Sequence, residues 1–225
     1  MIKAVVFDLD HTLFDRHGTL KYLVPSLRKE FSVNEKMTDE EIGNLWCYAD
    51  DSFVYSGWEN IWGYLSDKGV FSVTPPFEDY CAFIYKYFAC TAVSFPETVP
   101  MLEKLRSLGY KTALITNGYH ELQYSKIKML SLEEHFDEII VSGDYDIFKP
   151  DRGIFDIMRK KLGFEPEEMV YVGDNPVNDI EGARSAGWKT MWMRSTGYWD
   201  SNIKRADREV DTVSEVIKAV QSMEE

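Results

Sequence analysis

Residues 2–7, Ile-Lys-Ala-Val-Val-Phe, form a short β-branched run that stops abruptly at Asp8-Leu9-Asp10-His11-Thr12. A continuous apolar run of this length, ending in a polar turn, fits a strand buried on both faces. Four more runs of the same kind follow: Lys-Thr-Ala-Leu-Ile-Thr at 111–116, Glu-Ile-Ile-Val-Ser at 138–142, Met-Val-Tyr-Val-Gly at 169–173 and Lys-Thr-Met-Trp-Met at 189–193. Between them, apolar residues recur at helical spacing. Val99, Leu102 and Leu105 precede Gly109; Leu122, Ile127 and Leu130 follow Thr116; Ile154, Phe155, Met158 and Leu162 precede Gly163; the tail carries Val213, Val216, Ile217 and Val220. The alternation predicts an α/β fold with a doubly wound, Rossmann-like parallel sheet, whose ligands bind beyond the carboxyl ends of the strands.

Residues 16–92 break this rhythm. They are long, helical in composition, and hold half of the chain's Phe, Tyr and Trp residues, too many for a solvated loop. We therefore expect two domains: a catalytic core formed by 1–15 and 93–225, and an α-helical domain inserted at 16–92. Trp46, Trp58, Trp62 and Tyr64 are expected to form the core of the insertion, because aromatic residues at helical spacing usually pack.

The chain carries a net charge of −13, and the insertion has seven basic against eleven acidic residues. A nucleic acid polymer or an anionic membrane would meet repulsion. A small anion is still possible where a cation or a helix N-terminus supplies local positive potential. The three cysteines, Cys47, Cys81 and Cys90, show no metal or disulfide spacing and read as small buried hydrophobes. With Asp8 and Asp10 where a signal peptide needs its apolar run, the expectation is a cytoplasmic protein, monomeric or a small homo-oligomer.

The residues after the strands carry the chemistry. Asp8 and Asp10 follow the first, Thr116-Asn117-Gly118 the second, and Gly173-Asp174-Asn175 with Asp179 the fourth. All would converge on one rim of the sheet. Carboxylates grouped there repel one another unless a cation is present, and a set of hard oxygen ligands suits Mg²⁺.

Asp8-Leu9-Asp10-His11-Thr12-Leu13, Leu114-Ile115-Thr116-Asn117-Gly118, Lys149-Pro150-Asp151 and Gly173-Asp174-Asn175-Pro176-Val177-Asn178-Asp179 resemble, in order, the four signature motifs of the haloacid dehalogenase superfamily. The insertion is similar to the helical cap that members carry after the first motif. The resemblance implies a Mg²⁺-dependent phosphatase acting on a small phosphomonoester. In it, Asp8 attacks phosphorus to give an aspartyl phosphate. Asp10 protonates the leaving oxygen and then activates water, and Lys149 positions and neutralises. Thr116 and Asn117, with Lys149, would bind the phosphoryl group. The metal would be held by Asp8, Asp10 through its main-chain carbonyl, and Asp174. Asp179 would either join that shell or hydrogen-bond Lys149.

His11 stands where many relatives have glycine and is read as an accommodated turn residue. Dehalogenases of the family lack the second aspartate of the first motif, so Asp10 favours a leaving group that needs a proton. A phosphomutase would use the same motifs. A phosphoaspartate signalling module is disfavoured, since it needs no insertion and carries its phosphoacceptor later in the sheet. A nucleotide or a sugar phosphate is the expected substrate, the aromatic insertion leaning toward a nucleotide because bases stack on such rings.

Overall fold

The computed structural model describes residues 1–53, 57–195 and 199–224. The chain begins with β1 (Ala4–Phe7) and continues through α1 (Arg16–Glu30), α2 (Asp39–Phe53), α3 (Trp58–Asp67) and α4 (Phe77–Tyr87). It then alternates: α5 (Thr98–Ser107), β2 (Lys111–Thr116), α6 (His120–Met129), β3 (Glu138–Val141), α7 (Arg152–Leu162), β4 (Met169–Gly173), α8 (Gly182–Ser185) and β5 (Lys189–Met193). The last elements are β6 (Arg208–Val210) and α9 (Val216–Gln221). Two compact units result, Met1–Asp15 with Ser94–Glu225, and Arg16–Val93.

In the first unit the strands run in the order β3-β2-β1-β4-β5-β6, every neighbouring pair parallel. This is the doubly wound α/β sheet that the alternation of strands and helices predicts. β1 is central and wholly buried, with Phe7 opposite Leu114 of β2 and Val172 of β4. The strand order changes direction at β1, so its carboxyl end is the topological switch point where such sheets bind ligands. The sixth strand is not legible as a run. It has three residues, of which only Val210 is buried, and a short charged strand of this kind suits a sheet edge.

α7 shows how the sequence sets a helix. The Asp151 side chain accepts a hydrogen bond from the Gly153 N–H (2.7 Å) at its start, and Gly163 ends it at φ 72°. The face between buries Ile154, Phe155 and Met158. Phe155 meets Tyr171 and Trp188 edge-on, with ring centroids 5.3 and 5.5 Å away, inside a core shared with Val6, Ile115 and Ile140.

The second unit is a helical bundle with its own core: Leu20, Leu23, Val24 and Leu27 of α1, Ile42 and Trp46 of α2, Ile61 and Leu65 of α3, and Tyr80, Phe83 and Ile84 of α4. Thr38 and Glu41 make a reciprocal capping box at the start of α2. Arg16 is buried in a two-pronged pair with Asp50 (2.5 and 2.7 Å), its guanidinium over the rings of Phe88 and Trp58. Of the four aromatic residues expected in this core, only Trp46 is sealed. Trp58, Trp62 and Tyr64 are half-buried, each packed against another ring (Phe88, Phe77 and Tyr48 respectively). The cysteines also differ from expectation: Cys47 is buried, Cys81 half-buried and Cys90 exposed. No helix among the described residues is long and apolar enough to cross a membrane.

Truncating Phe155 tests the core of the sheet unit. Phe155→Ala should lower stability by about 3–5 kcal/mol, and Phe155→Leu by much less, because the alanine leaves a cavity that the sheet residues cannot fill. Urea denaturation checks this through the midpoint at unchanged slope.

Candidate active site

Asp8 follows β1 directly, and its N–H donates to the Val172 carbonyl (2.9 Å), extending the ladder toward β4 by one bond. Its carboxylate meets Lys149. The Lys149 ammonium donates to Asp8 Oδ1 (2.6 Å), Asp179 Oδ1 (2.7 Å) and the Tyr171 hydroxyl (2.8 Å), and the last donates in turn to the Ile115 carbonyl (2.8 Å). Three ammonium hydrogens thus find three acceptors. The second oxygen of Asp179 accepts the Asn175 N–H (2.9 Å). Asp174 completes the group: one carboxylate oxygen from each of Asp8, Asp174 and Asp179 lies within 4.8 Å of the others. Trp192 anchors the loop behind, its indole N–H donating to the Asp174 carbonyl (2.8 Å).

Asp8, Asp174, Asp179 and Lys149 are all buried. Burial, reinforced by Asp179 and Asp10, raises the Asp8 carboxyl to about 7 in spite of Lys149. Asp174 is pushed well above the usual carboxylate range, first by burial and then by Asp179 and Asp8. Burial also works against the charge of Lys149, but Asp179 and Asp8 outweigh it and hold the ammonium above the ordinary lysine range. Two carboxyl groups driven toward the neutral form, beside a single ammonium, make an oxygen cluster that a hard cation fits.

The turn after β1 places Asp10 elsewhere. His11 adopts φ 60°, the left-handed region that favours glycine, and its N–H donates to the Phe14 carbonyl (3.1 Å). This is the physical reason glycine suits the position. The Asp10 carboxylate is held by Lys126 of α6, whose ammonium reaches Oδ1 at 2.7 Å and Oδ2 at 2.6 Å. Gln123 adds an amide hydrogen bond to Oδ2 (3.2 Å) and also donates to the Thr116 hydroxyl and the Asn117 carbonyl (3.1 Å).

Of the residues singled out in the sequence, Asp8, Lys149, Asp174 and Asp179 come together as one buried cluster, and Asp10 and Thr116 are joined through Gln123. Asn117, expected among the phosphate-binding residues, has its side chain engaged within the protein. Its side chain accepts the Lys149 N–H (2.9 Å) and donates to the Lys149 carbonyl (3.0 Å), so it pins the lysine loop. Lys126, Gln123 and Tyr171 escaped the sequence reading. The available signal was a pair of polar residues three apart in a helix directly after Thr116. Apolar periodicity instead drew attention to Leu122, Ile127 and Leu130, of which Leu122 is only half-buried.

Gly173, the last residue of β4, must lack a side chain, because a Cβ there would overlap the Asp179 carboxyl group. Gly173→Ala should push Asp179 off Lys149 and destabilise the protein by about 1–3 kcal/mol, as overpacking does. A melting temperature equal to that of the parent would show that Asp179 moves without penalty.

The haloacid dehalogenase-like hydrolase family model matches residues 5–193. The chain is 31% identical over 198 residues to the glyceraldehyde 3-phosphate phosphatase of Methanothermobacter thermautotrophicus, covering 87% of each chain. It is 33% identical over 133 residues to the protein of that name from Methanopyrus kandleri, an alignment spanning 57% of each. Among solved structures, the HAD phosphatase from Thermococcus onnurineus superimposes with a TM-score of 0.67 at 28% identity, over 97% of this chain and 98% of the other. The ordered motifs, the sheet topology and these relatives agree: the chain belongs to the haloacid dehalogenase-like hydrolase family.

Proposed function

We propose that this hydrolase is a Mg²⁺-dependent phosphomonoesterase, acting in the cytoplasm on a small phosphorylated metabolite through an aspartyl phosphate on Asp8. The observation that carries the reading is the separation of the two aspartates of one turn. Asp8 lies in the carboxylate cluster with Lys149, while Asp10 is held apart by Lys126 and Gln123. A nucleophile and an acid/base need that division, and a hydrolase that expels halide has no use for the second carboxylate.

The oxygens of Asp8 and Asp174, with the main-chain carbonyl of Asp10, would hold Mg²⁺, which supplies the positive charge that lets a carboxylate approach a phosphate dianion. The chain's own groups do the rest. Asp8 forms a bond to phosphorus as the ester oxygen leaves with a proton from Asp10, which enters this step as the carboxylic acid and leaves it as the carboxylate paired with Lys126. Asp10 then accepts a proton from water as the water attacks phosphorus, and inorganic phosphate departs with Asp8 regenerated. Lys149 offsets the charge on Asp8 before attack and that of the phosphoryl group once it is bound to Asp8. Because the Thr116 hydroxyl accepts from Gln123, its own hydrogen can be donated to a phosphoryl oxygen. Asp179, with both oxygens engaged, serves to orient Lys149.

The helical unit Arg16–Val93 is assigned as the family's cap. Its aromatic residues pack on one another, which weakens the case for base stacking, so we favour a short phosphate ester of the kind in the relatives' names over a nucleotide. A phosphate-release screen with Mg²⁺ should therefore favour glyceraldehyde 3-phosphate over nucleoside monophosphates. Asp8→Asn should reduce release at least about 10³-fold with the fold intact. Wild-type turnover in that variant would refute the nucleophile.

The raised carboxyl groups set a pH dependence. In the metal-free folded protein Asp8 keeps its proton up to about 7, whereas unfolded it loses it near 4, so this group's contribution to stability declines as pH rises between those values. A cation must displace those protons. The rise in melting temperature on adding Mg²⁺ should accordingly be small near pH 6 and larger near pH 8. Equal rises at both would argue against binding at Asp8 and Asp174.

A further inference from the structure

α6 buries two polar side chains, Gln123 (2% exposed) and Lys126 (1%), one turn apart on the same face. A lysine that deep is unfavourable unless its ammonium is matched. Here it is matched by both oxygens of Asp10 (2.7 and 2.6 Å), with the Phe14 ring 5.4 Å away. A carboxylate gripped at both oxygens has lost its rotational freedom, and the Gln123 amide bonds the same carboxylate and the Thr116 hydroxyl. α6 thereby fixes the orientation of Asp10 relative to the residue assigned to the phosphoryl oxygens.

We propose that Lys126 is a positioning residue for the reaction: through its hold on the Asp10 carboxyl group, and with Gln123 as the brace to Thr116, it aims Asp10 at the leaving oxygen and keeps it out of the Asp8–Asp174–Asp179 cluster, one Asp10 oxygen staying on Lys126 while the other carries the proton and passes it on. The inference rests on the phosphomonoesterase reading. Lys126 touches no reacting atom in this scheme, and its effect passes entirely through Asp10.

That route leaves a signature. kcat/KM reports the steps up to phosphoryl transfer to Asp8, where a proton from Asp10 matters greatly for an alkyl phosphate and little for an aryl phosphate such as p-nitrophenyl phosphate. Lys126→Met should lower kcat/KM about 10²-fold for glycerol 3-phosphate and less than about threefold for p-nitrophenyl phosphate. Lys126→Arg, which can still pair with a carboxylate, should restore much of the alkyl rate. In an Asp10→Asn background, Lys126→Met should cost nothing further, because the two changes remove one function. Equal falls for both esters, or full additivity with Asp10→Asn, would overturn the proposal and leave Lys126 as a packing residue. Should Lys126→Met fail to fold, Gln123→Met reads the same split at smaller amplitude, and its absence there counts equally against it. Failure of the underlying reading looks different: the unmodified protein with Mg²⁺ would release no phosphate from either ester.

Discussion

Four carboxylates gathered at one edge of one sheet repel one another, and the arrangement beyond β1 follows from how two lysines divide them. At an effective dielectric near 20, unit charges 4 Å apart interact by about 4 kcal/mol, so the division is energetically decisive. Lys149 takes Asp8 and Asp179, while Lys126 takes Asp10. Asp174 is left in the first group beside a lysine already shared, and it is there that burial and like charge push carboxyl groups toward neutrality. Buried ion pairs contribute little net stability once desolvation is counted. Their value here is placement: a cluster of carboxyl oxygens gathered round Lys149, and a separate carboxylate outside it.

The supporting residues have a common logic. Each lysine is itself held, Lys149 by the Tyr171 hydroxyl and through its main chain by Asn117, Lys126 against the Phe14 ring. Tyr171 is also part of the core beneath, edge-on to Phe155. The same side chain therefore ties the packing of α7 on the sheet to the position of the ammonium, so damage to that core should reach the site through Lys149. Trp192 does the equivalent for the loop of Asp174 from β5.

Much of this was legible in the sequence because it depends on local chemistry. Five of the six strands are apolar runs with sharp polar ends, and the aspartates following two of them, β1 and β4, form the cluster. What was not legible depends on three-dimensional pairing. β6 lacks an apolar run because it lies at the sheet edge and needs little burial. Lys126 and Gln123 drew no reading, since nothing local marks a polar side chain that is buried against a carboxylate more than a hundred positions earlier. Asn117 is a different case: its place in the motif was recognised, but the bonds of both its side-chain polar atoms to a loop distant in sequence were not legible.

The turn after β1 shows why the division of carboxylates needs a break in the strand. Along an extended strand, residues two apart point to the same face, so continuing β1 through residue 10 would send Asp8 and Asp10 into one cluster. Instead the backbone turns at Leu9, whose buried side chain anchors the bend and whose carbonyl accepts the N–H groups of Thr12 (3.3 Å) and Leu13 (2.9 Å). His11 then takes the left-handed conformation that reverses the chain, and Phe14 returns beside Asp10. The period of two is broken between the aspartates, and the Asp10 side chain is delivered to α6 rather than to the Asp8–Asp174–Asp179 cluster. A left-handed residue immediately after Asp10 thus goes with two neighbouring carboxylates held in different surroundings. That a histidine holds it, with the strain a Cβ brings there, indicates that the hydrogen bonds of the turn are sufficient to enforce the conformation without glycine.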